Sequence, residues 1–297
     1  MFKKSKENID ATVPTGTLKS LWIALKKNKR SLVGLYFIIF LVLIAIFAEY
    51  IAPFGMTAQN LKATMQKPSM MHLFGTDDLG RDVLSRIIFG TRISLIIGVA
   101  SISIALFFGT ILGVISGYFG GVIDNVIMRI TDLMLSIPSI LLAIALVAAF
   151  GSSLSNLIIA IGVGNIPIFI RISRAAVLAV KEEQFIEAAT ATAMSDWKII
   201  IKHIVPNSLS PIIVQATMGV AGAILSAAGL GFIGLGIEAS QAEWGTMLNA
   251  GRPFIRTHAY LTIYPGIAIM LTILSFNLLG DGIRDAIDPK LRSKGGS

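Results

Sequence analysis

Residues 187–207 read EAATATAMSDWKIIIKHIVPN. This helix-forming passage, with Glu187, Asp196, Lys198, Lys202 and His203, lies between two of the most apolar segments of the chain. Phe185, Ala188, Ala189 and Thr192 fall on one helical face. Trp197, Ile200, Ile201 and Ile204 repeat the i, i+3, i+4, i+7 spacing of an amphipathic helix, with Lys198 and Lys202 opposite. Ser195 is placed to cap the second helix, and Asp196 meets the positive end of its dipole. Pro206 is expected to stop that helix before the next apolar segment. The passage therefore predicts a helix–turn–helix pair at a membrane surface. Such a pair can simply rest on lipid headgroups, but Glu182, Glu183 and Glu187 weaken attraction to anionic lipid.

Outward from this passage the chain reads as membrane protein. Of its 297 residues, 54% are hydrophobic and 14% charged, and the mean hydropathy is +0.78. A soluble domain carries about a quarter charged residues. Six apolar stretches, at 32–51, 93–118, 126–150, 154–170, 209–237 and 260–279, approach or exceed the length needed to cross about 30 Å of hydrocarbon. The predicted fold is all-α, with six transmembrane helices. Its expected divisions are a basic segment 1–31, a first span 32–51, an outer loop 52–91, a five-helix transmembrane domain 92–281 with an inner loop 181–208, and a tail 282–297. The basic segment with its long apolar run fits a retained anchor better than a cleaved signal.

Charge assigns the sides. Eighteen Lys and Arg fall on the segments of one side, including Lys3, Lys4, Lys6, Lys19, Lys26, Lys27, Lys29 and Arg30, against seven on the other. That bias predicts cytoplasmic N- and C-termini. The net charge of +8 thus reads as orientation rather than nucleic-acid binding, which needs a basic patch on a soluble domain. The chain has no cysteine, which excludes disulfides and thiolate chemistry.

In the outer loop, GTDDLGRD offers Asp77 or Asp78 as a helix cap, and Asp82 and Arg86 as an i,i+4 pair. Gly229, Gly231 and Gly234 satisfy G-x-G-x-x-G but lie inside an apolar segment, without the flanking strand of a dinucleotide site. Helix contact or a break in the span is the better reading. Gly109, Gly113, Gly117 and Gly121 recur every four residues on one face, as close helix packing requires. Arg129 and Asp132 stand three apart, placed to pair with each other or reach headgroups. Asn165 and Pro167 are expected to interrupt the fourth span. No chain of acidic or His residues crosses the spans, which counts against ion-coupled transport. His72, His203 and His258 lack metal-ligand spacing, and no G-x-x-x-x-G-K-[ST] is present. No catalytic, cofactor or metal residues are predicted.

At residues 187–206 the chain resembles the cytoplasmic EAA loop of binding-protein-dependent ABC importer permeases. That pattern has E-A-A, a glycine four residues later, and I-x-L-P. Here stand Glu187, Ala188 and Ala189, then Ala193 at the glycine position, and His203 and Val205 in place of Ile and Leu before Pro206. Glycine tolerates positive φ and alanine does so poorly, so Ala193 is the departure that bears on the turn. Ser195-Asp196-Trp197 and the run from His203 to Asn207 are similar to the dipeptide, oligopeptide and nickel branch. So are GTDDLGRD at 75–82 and NLLGDGIRDAIDPKL at 277–291. The match is closest to the C-type permease subunit.

The resemblance implies a type I ABC importer permease fold in a bacterial plasma membrane. It implies a second, homologous permease subunit, two ATPase subunits that hold the hydrolytic site, and an extracytoplasmic binding protein delivering di- or oligopeptides. Nickel or a metal chelate is the alternative cargo. A channel or carrier independent of ATPase, and a scaffold without transport, are the readings from other classes. The expected ATPase-coupling residues are Glu187, Ala188, Ala189, Ala193, Ser195, Asp196, Trp197, Ile200, Ile204 and Pro206. Trp197 and the Ile200/Ile204 face are expected to make contact, with Glu187 and Asp196 fixing the loop.

Overall fold

The computed structural model describes residues 25–26, 28–238 and 240–287. Most of the basic N-terminal segment, Lys27, and the Asp288–Leu291 part of the tail motif with Lys290, Arg292 and Lys294 lie outside the described residues.

The described chain is nearly all helical. In order the helices are α1 (Lys29–Ile46), α2 (Ala48–Ile51), α3 (Val83–Phe119), α4 (Gly121–Leu135), α5 (Ser139–Phe150), α6 (Leu154–Lys181), α7 (Gln184–Ala191), α8 (Asp196–Ile199), α9 (Val205–Phe232), α10 (Trp244–Gly251) and α11 (Tyr260–Ile287). Five are apolar and long enough to cross a membrane when α8 and α9 count as one, and six if the bent pair α4–α5 is a single span. The stretch expected as one helix at 126–150 is in fact that pair, bent by 82°. The bend falls at Ser136–Pro138, where Pro138 cannot donate to the α4 ladder and disfavours a helical Ile137. The fourth span runs unbroken through Asn165 and Pro167 to Lys181. The Asn165 amide donates to the Ile161 carbonyl at 2.8 Å, and Pro167 is buried against the bundle. Neighbouring helices and polar side chains compensate for a lost backbone bond at such sites.

The long contact of α3 with α6 is the backbone of the bundle. Gly109, Gly113 and Gly117 face α6: a Cβ at Gly113 would stand 2.6 Å from the Ile170 carbonyl oxygen, and one at Gly117 would stand 2.9 Å from Val177 Cβ. Gly121 departs from this row. With Gly120 it forms the turn out of α3 at φ +65 and +55, and a Cβ there would meet nothing within 4 Å. Beyond the turn, Asp124 of α4 takes a bidentate pair from Arg174 of α6, both bonds at 2.6 Å. Asp132 pairs with Arg171 at 2.6 Å rather than with Arg129, because the facing helix brings the guanidinium closer than its own turn does. Asn28 caps α1 and reaches Asp285 of α11 at 3.3 Å, so the first and last helices start and finish at one end of the bundle.

At the other end, residues 52–82 fold over the helix mouths. Asp77 accepts from the backbone N–H of Leu79 and Arg81 and pairs with Arg81 at 2.6 Å. It organises a turn and caps no helix. The cap of α3 is Asp82, which accepts from Ser85 N at 2.8 Å and Ser85 Oγ at 2.7 Å and holds the buried His72 ring at 3.0 Å. The expected Asp82–Arg86 pair therefore gives way: Arg86 lies beside Asp77 at 3.8 Å. Asp82→Ala should lower stability by about 1–2 kcal/mol, the usual cost of a lost N-cap. The check is a drop in thermal midpoint of the purified protein, larger than that of Asp82→Asn. Glu243, also at this end, is buried and caps α10 through the N–H groups of Gly245 and Thr246. Burial pushes its carboxyl above the usual range, while those donors pull the other way. Gly231 of the G-x-G-x-x-G run packs against it: a Cβ there would lie 2.8 Å from Glu243 Oε2, so this glycine serves close packing.

Candidate functional site

The passage 182–206 forms a foot at the end of the bundle where α1 starts and α11 finishes. α6 ends at Lys181, α7 turns away, and four residues later the chain re-enters as α8. The connection is a Schellman motif. Met194 N–H donates to Ala189 O at 3.4 Å and Ala193 N–H donates to Thr190 O at 3.0 Å, with Ala193 in the left-handed region at φ +56. Met194 packs on the same small core as Ala189, the apolar contact that accompanies this cap. The turn thus keeps a glycine's geometry with alanine in place. Ala193→Gly should stabilise the protein by about 0.5–1 kcal/mol, the strain of a left-handed Cβ less the extra backbone entropy of glycine. A small rise in thermal midpoint checks it.

Ser195 occupies the N-cap position of α8, but its side chain makes no capping bond; its carbonyl accepts from Lys198 N and Ile199 N instead. Pro206 does not stop the helix. α8 continues through a π turn, Ile200–Ile204, into α9. Val205 N–H donates five residues back to Ile200 O, and Pro206 enters as a first-turn residue of α9, where a missing N–H is tolerated. One wide turn absorbs the proline, so foot and span are one stiff rod from Asp196 to Phe232.

The periodic stripe divides. Ile200 and Ile204 are buried, with Ile199, Ile186, Ala189, Val114 and Val177, in a core between the foot and the ends of α3 and α6. Burying each isoleucine stabilises that junction by about 1.5–3 kcal/mol. The expectation that Ile200 and Ile204 offer a contact face is corrected: they anchor the foot to its own bundle. Trp197 is 58% and Ile201 68% exposed. Glu187, Ala188, Ala193, Ser195, Asp196 and Pro206 are exposed, and Ala189 is buried.

The rest of the site comes from α3, which sequence reasoning missed. The Tyr118 hydroxyl donates to Asp196 at 2.7 Å, Lys181 Nζ donates to the Tyr118 carbonyl at 2.7 Å, and the Phe119 ring meets Trp197 edge-on at 6.0 Å. Tyr118, Phe119, Lys181 and Asp196, with Glu182, Glu183 and Glu187, line an open groove on the foot. A tyrosine closing an apolar helix is common, and no local signal points Tyr118 at a residue 78 positions away. Among the described residues no three His, Asp or Glu side chains gather as a metal site. The arrangement presents a braced, acidic-rimmed surface from which Trp197 and Phe185 project.

Residues 109–293 match the binding-protein-dependent transport system inner membrane component family, and residues 17–68 match the N-terminal TM domain of oligopeptide transport permease C. The chain belongs to the binding-protein-dependent transport permeases. It is 52% identical to a dipeptide transport system permease protein of Alkalihalophilus pseudofirmus, over 91% of this chain and 88% of that protein. It is 44% identical to the dipeptide transport system permease protein of Haemophilus influenzae, over 94% and 97%. A glutathione transport system permease protein of Pectobacterium atrosepticum is 41% identical, over 93% and 92%. Among solved structures, an inward-facing form of the MetNI methionine ABC transporter superposes with a TM-score of 0.58 at 20% identity. It covers 69% of this permease and 97% of that chain. That likeness shows the type I ABC importer permease fold. This permease is a multi-pass membrane protein of a bacterial transport system, and its relatives are permeases rather than enzymes.

Proposed function

We propose that this permease is one of two different membrane subunits of an ATP-driven importer of di- and oligopeptides. The second permease subunit completes the pathway, two ATPase subunits sit beneath it, and an extracytoplasmic binding protein delivers the peptide. Both termini and the foot at 182–206 face the cytoplasm. The observation that carries the reading is the foot: a helix pair with an outward Trp197, continuous with the α9 span through a π turn.

In this mechanism ATP binding closes the ATPase dimer, and the foot, seated in a groove of one ATPase, moves with it. Because Ile199, Ile200 and Ile204 lock the foot to α3 and α6, the displacement is passed to three spans at once. The pathway opens toward the binding protein, peptide enters, and hydrolysis restores the inward-facing state. No step requires a catalytic side chain of this chain.

The peptide cargo is supported by similarity to the dipeptide and glutathione permeases. A strain lacking this permease should fail to grow on defined dipeptides as sole amino-acid source while growing normally at limiting nickel. The reverse pattern would replace peptide by nickel. Uptake that persists when the ATPase subunits are deleted would replace the importer by a channel or carrier.

A further inference from the structure

At the end of the bundle opposite the foot, an open groove of about 460 Å³ lies between α1 and α3. Its walls are Val42, Ala45 and Ile46 of α1 and Leu95, Ile96 and Val99 of α3, all apolar, and Arg92 stands at its mouth. Arg92 has a structural reason to be there. α1 breaks at Phe47, which leaves late carbonyls of α1 without helical partners. Arg92 Nε donates to Ala45 O at 2.8 Å and a terminal amine donates to Ile46 O at 3.2 Å.

Capping does not exhaust the guanidinium. It has five N–H donors; two go to these carbonyls and a third to Glu49 Oε1 at 3.3 Å. The remaining two have no acceptor among the described residues, on a side chain that is 36% exposed. Glu49 is 69% exposed, and its second oxygen meets no donor among the described residues. A cation with spare donors and a carboxylate with a spare acceptor thus lie side by side above an apolar trough. From Arg92 to Val99 the trough descends about 10 Å along α3 at 1.5 Å per residue, most of the way to the middle of a hydrocarbon layer about 30 Å thick.

We infer that this groove is a binding site for one phosphatidylethanolamine-type lipid, with the phosphate on Arg92, the ammonium on Glu49 and an acyl chain between α1 and α3. An anionic headgroup without an amine would satisfy Arg92 but set a second negative charge against Glu49. The zwitterion satisfies both, and a forked guanidinium–phosphate contact is the strong kind of pair. The site would fasten α1, which packs chiefly on α11 and only lightly on α3, to the rest of the bundle. The inference stands on the groove alone and is independent of the cargo.

The test is native mass spectrometry of the intact transporter complex, delipidated and then given an equimolar mixture of phosphatidylethanolamine and phosphatidylglycerol. At least threefold preferential retention of phosphatidylethanolamine is expected. Glu49→Gln should abolish the preference while leaving phospholipid bound. Val99→Trp, which fills the exposed trough without touching the headgroup cluster, should reduce retention of both lipids at an unchanged thermal midpoint in detergent. Equal or greater retention of phosphatidylglycerol by the wild type would overturn the inference. So would retention that neither variant changes.

Discussion

Trp197→Ala is expected to cut substrate-stimulated ATPase activity and peptide uptake at least about 30-fold while leaving membrane insertion and the thermal midpoint of the subunit nearly unchanged. The indole is 58% exposed and meets the Phe119 ring edge-on at 6.0 Å. Removing it therefore takes little from the fold. Seated in a partner's groove, a Trp of this kind is an anchor whose loss costs about 2 kcal/mol or more, which is the stated factor at 1.4 kcal/mol per decade. Glu187→Ala tests the same surface from α7. Its carboxylate is exposed, with no partner among the described residues, and a role in coupling requires its donors to come from the ATPase. By contrast Ile204→Ala, at a buried position, should lose stability first. Full uptake in both Trp197→Ala and Glu187→Ala would remove the coupling role of the foot. A midpoint that falls in parallel with uptake would make that role a folding defect instead.

Gly113→Leu is expected to destabilise the bundle by 3 kcal/mol or more, at or above the upper end of the usual ~1–3 kcal/mol for overpacked cores. The atoms a Cβ would meet here are largely backbone: Ile170 O at 2.6 Å and Arg174 N at 3.0 Å, besides Ser173 Cβ at 2.7 Å. No rotamer change relieves a clash with a helix backbone, so α3 and α6 would have to separate. That separation would also stretch the Arg174–Asp124 fork one turn further on. Membrane yield of folded protein and its thermal midpoint read the effect. Gly121→Ala supplies the comparison. It meets no neighbour, and its cost is confined to the backbone strain of φ +55, about 1–2 kcal/mol.

Much of the architecture was legible because lipid imposes a local rule. Every spanning segment must satisfy its own backbone and present apolar side chains, so α1, α3, α6, α9 and α11 announce themselves by length and hydropathy. The Ala193 position was marked only by the resemblance, as the place where the family pattern has glycine; the structure puts the left-handed residue of a Schellman turn there. What could not be read was direction and partnership. The spacing of Trp197, Ile200, Ile201 and Ile204 states that a stripe exists but not which part of it a neighbour covers. The bundle covers Ile200 and Ile204 and leaves Trp197 and Ile201 outside. Asp132 has Arg129 on its own turn, yet the shorter reach is to Arg171 across the helix pair.

By itself the sequence determined that the chain lives in a bilayer, that its helices pack closely through Gly113 and its neighbours, and that a charged helix pair interrupts the spans at 182–206. Hydropathy, residue size and helical period are properties of a few adjacent residues. Tertiary structure alone decided that Pro206 is carried through on a π turn, that Tyr118 braces Asp196, and that Arg92 caps a broken α1 beside an apolar groove. Each of these depends on the free energy of contacts between residues far apart in the chain, and no local pattern encodes which distant partner lies nearest.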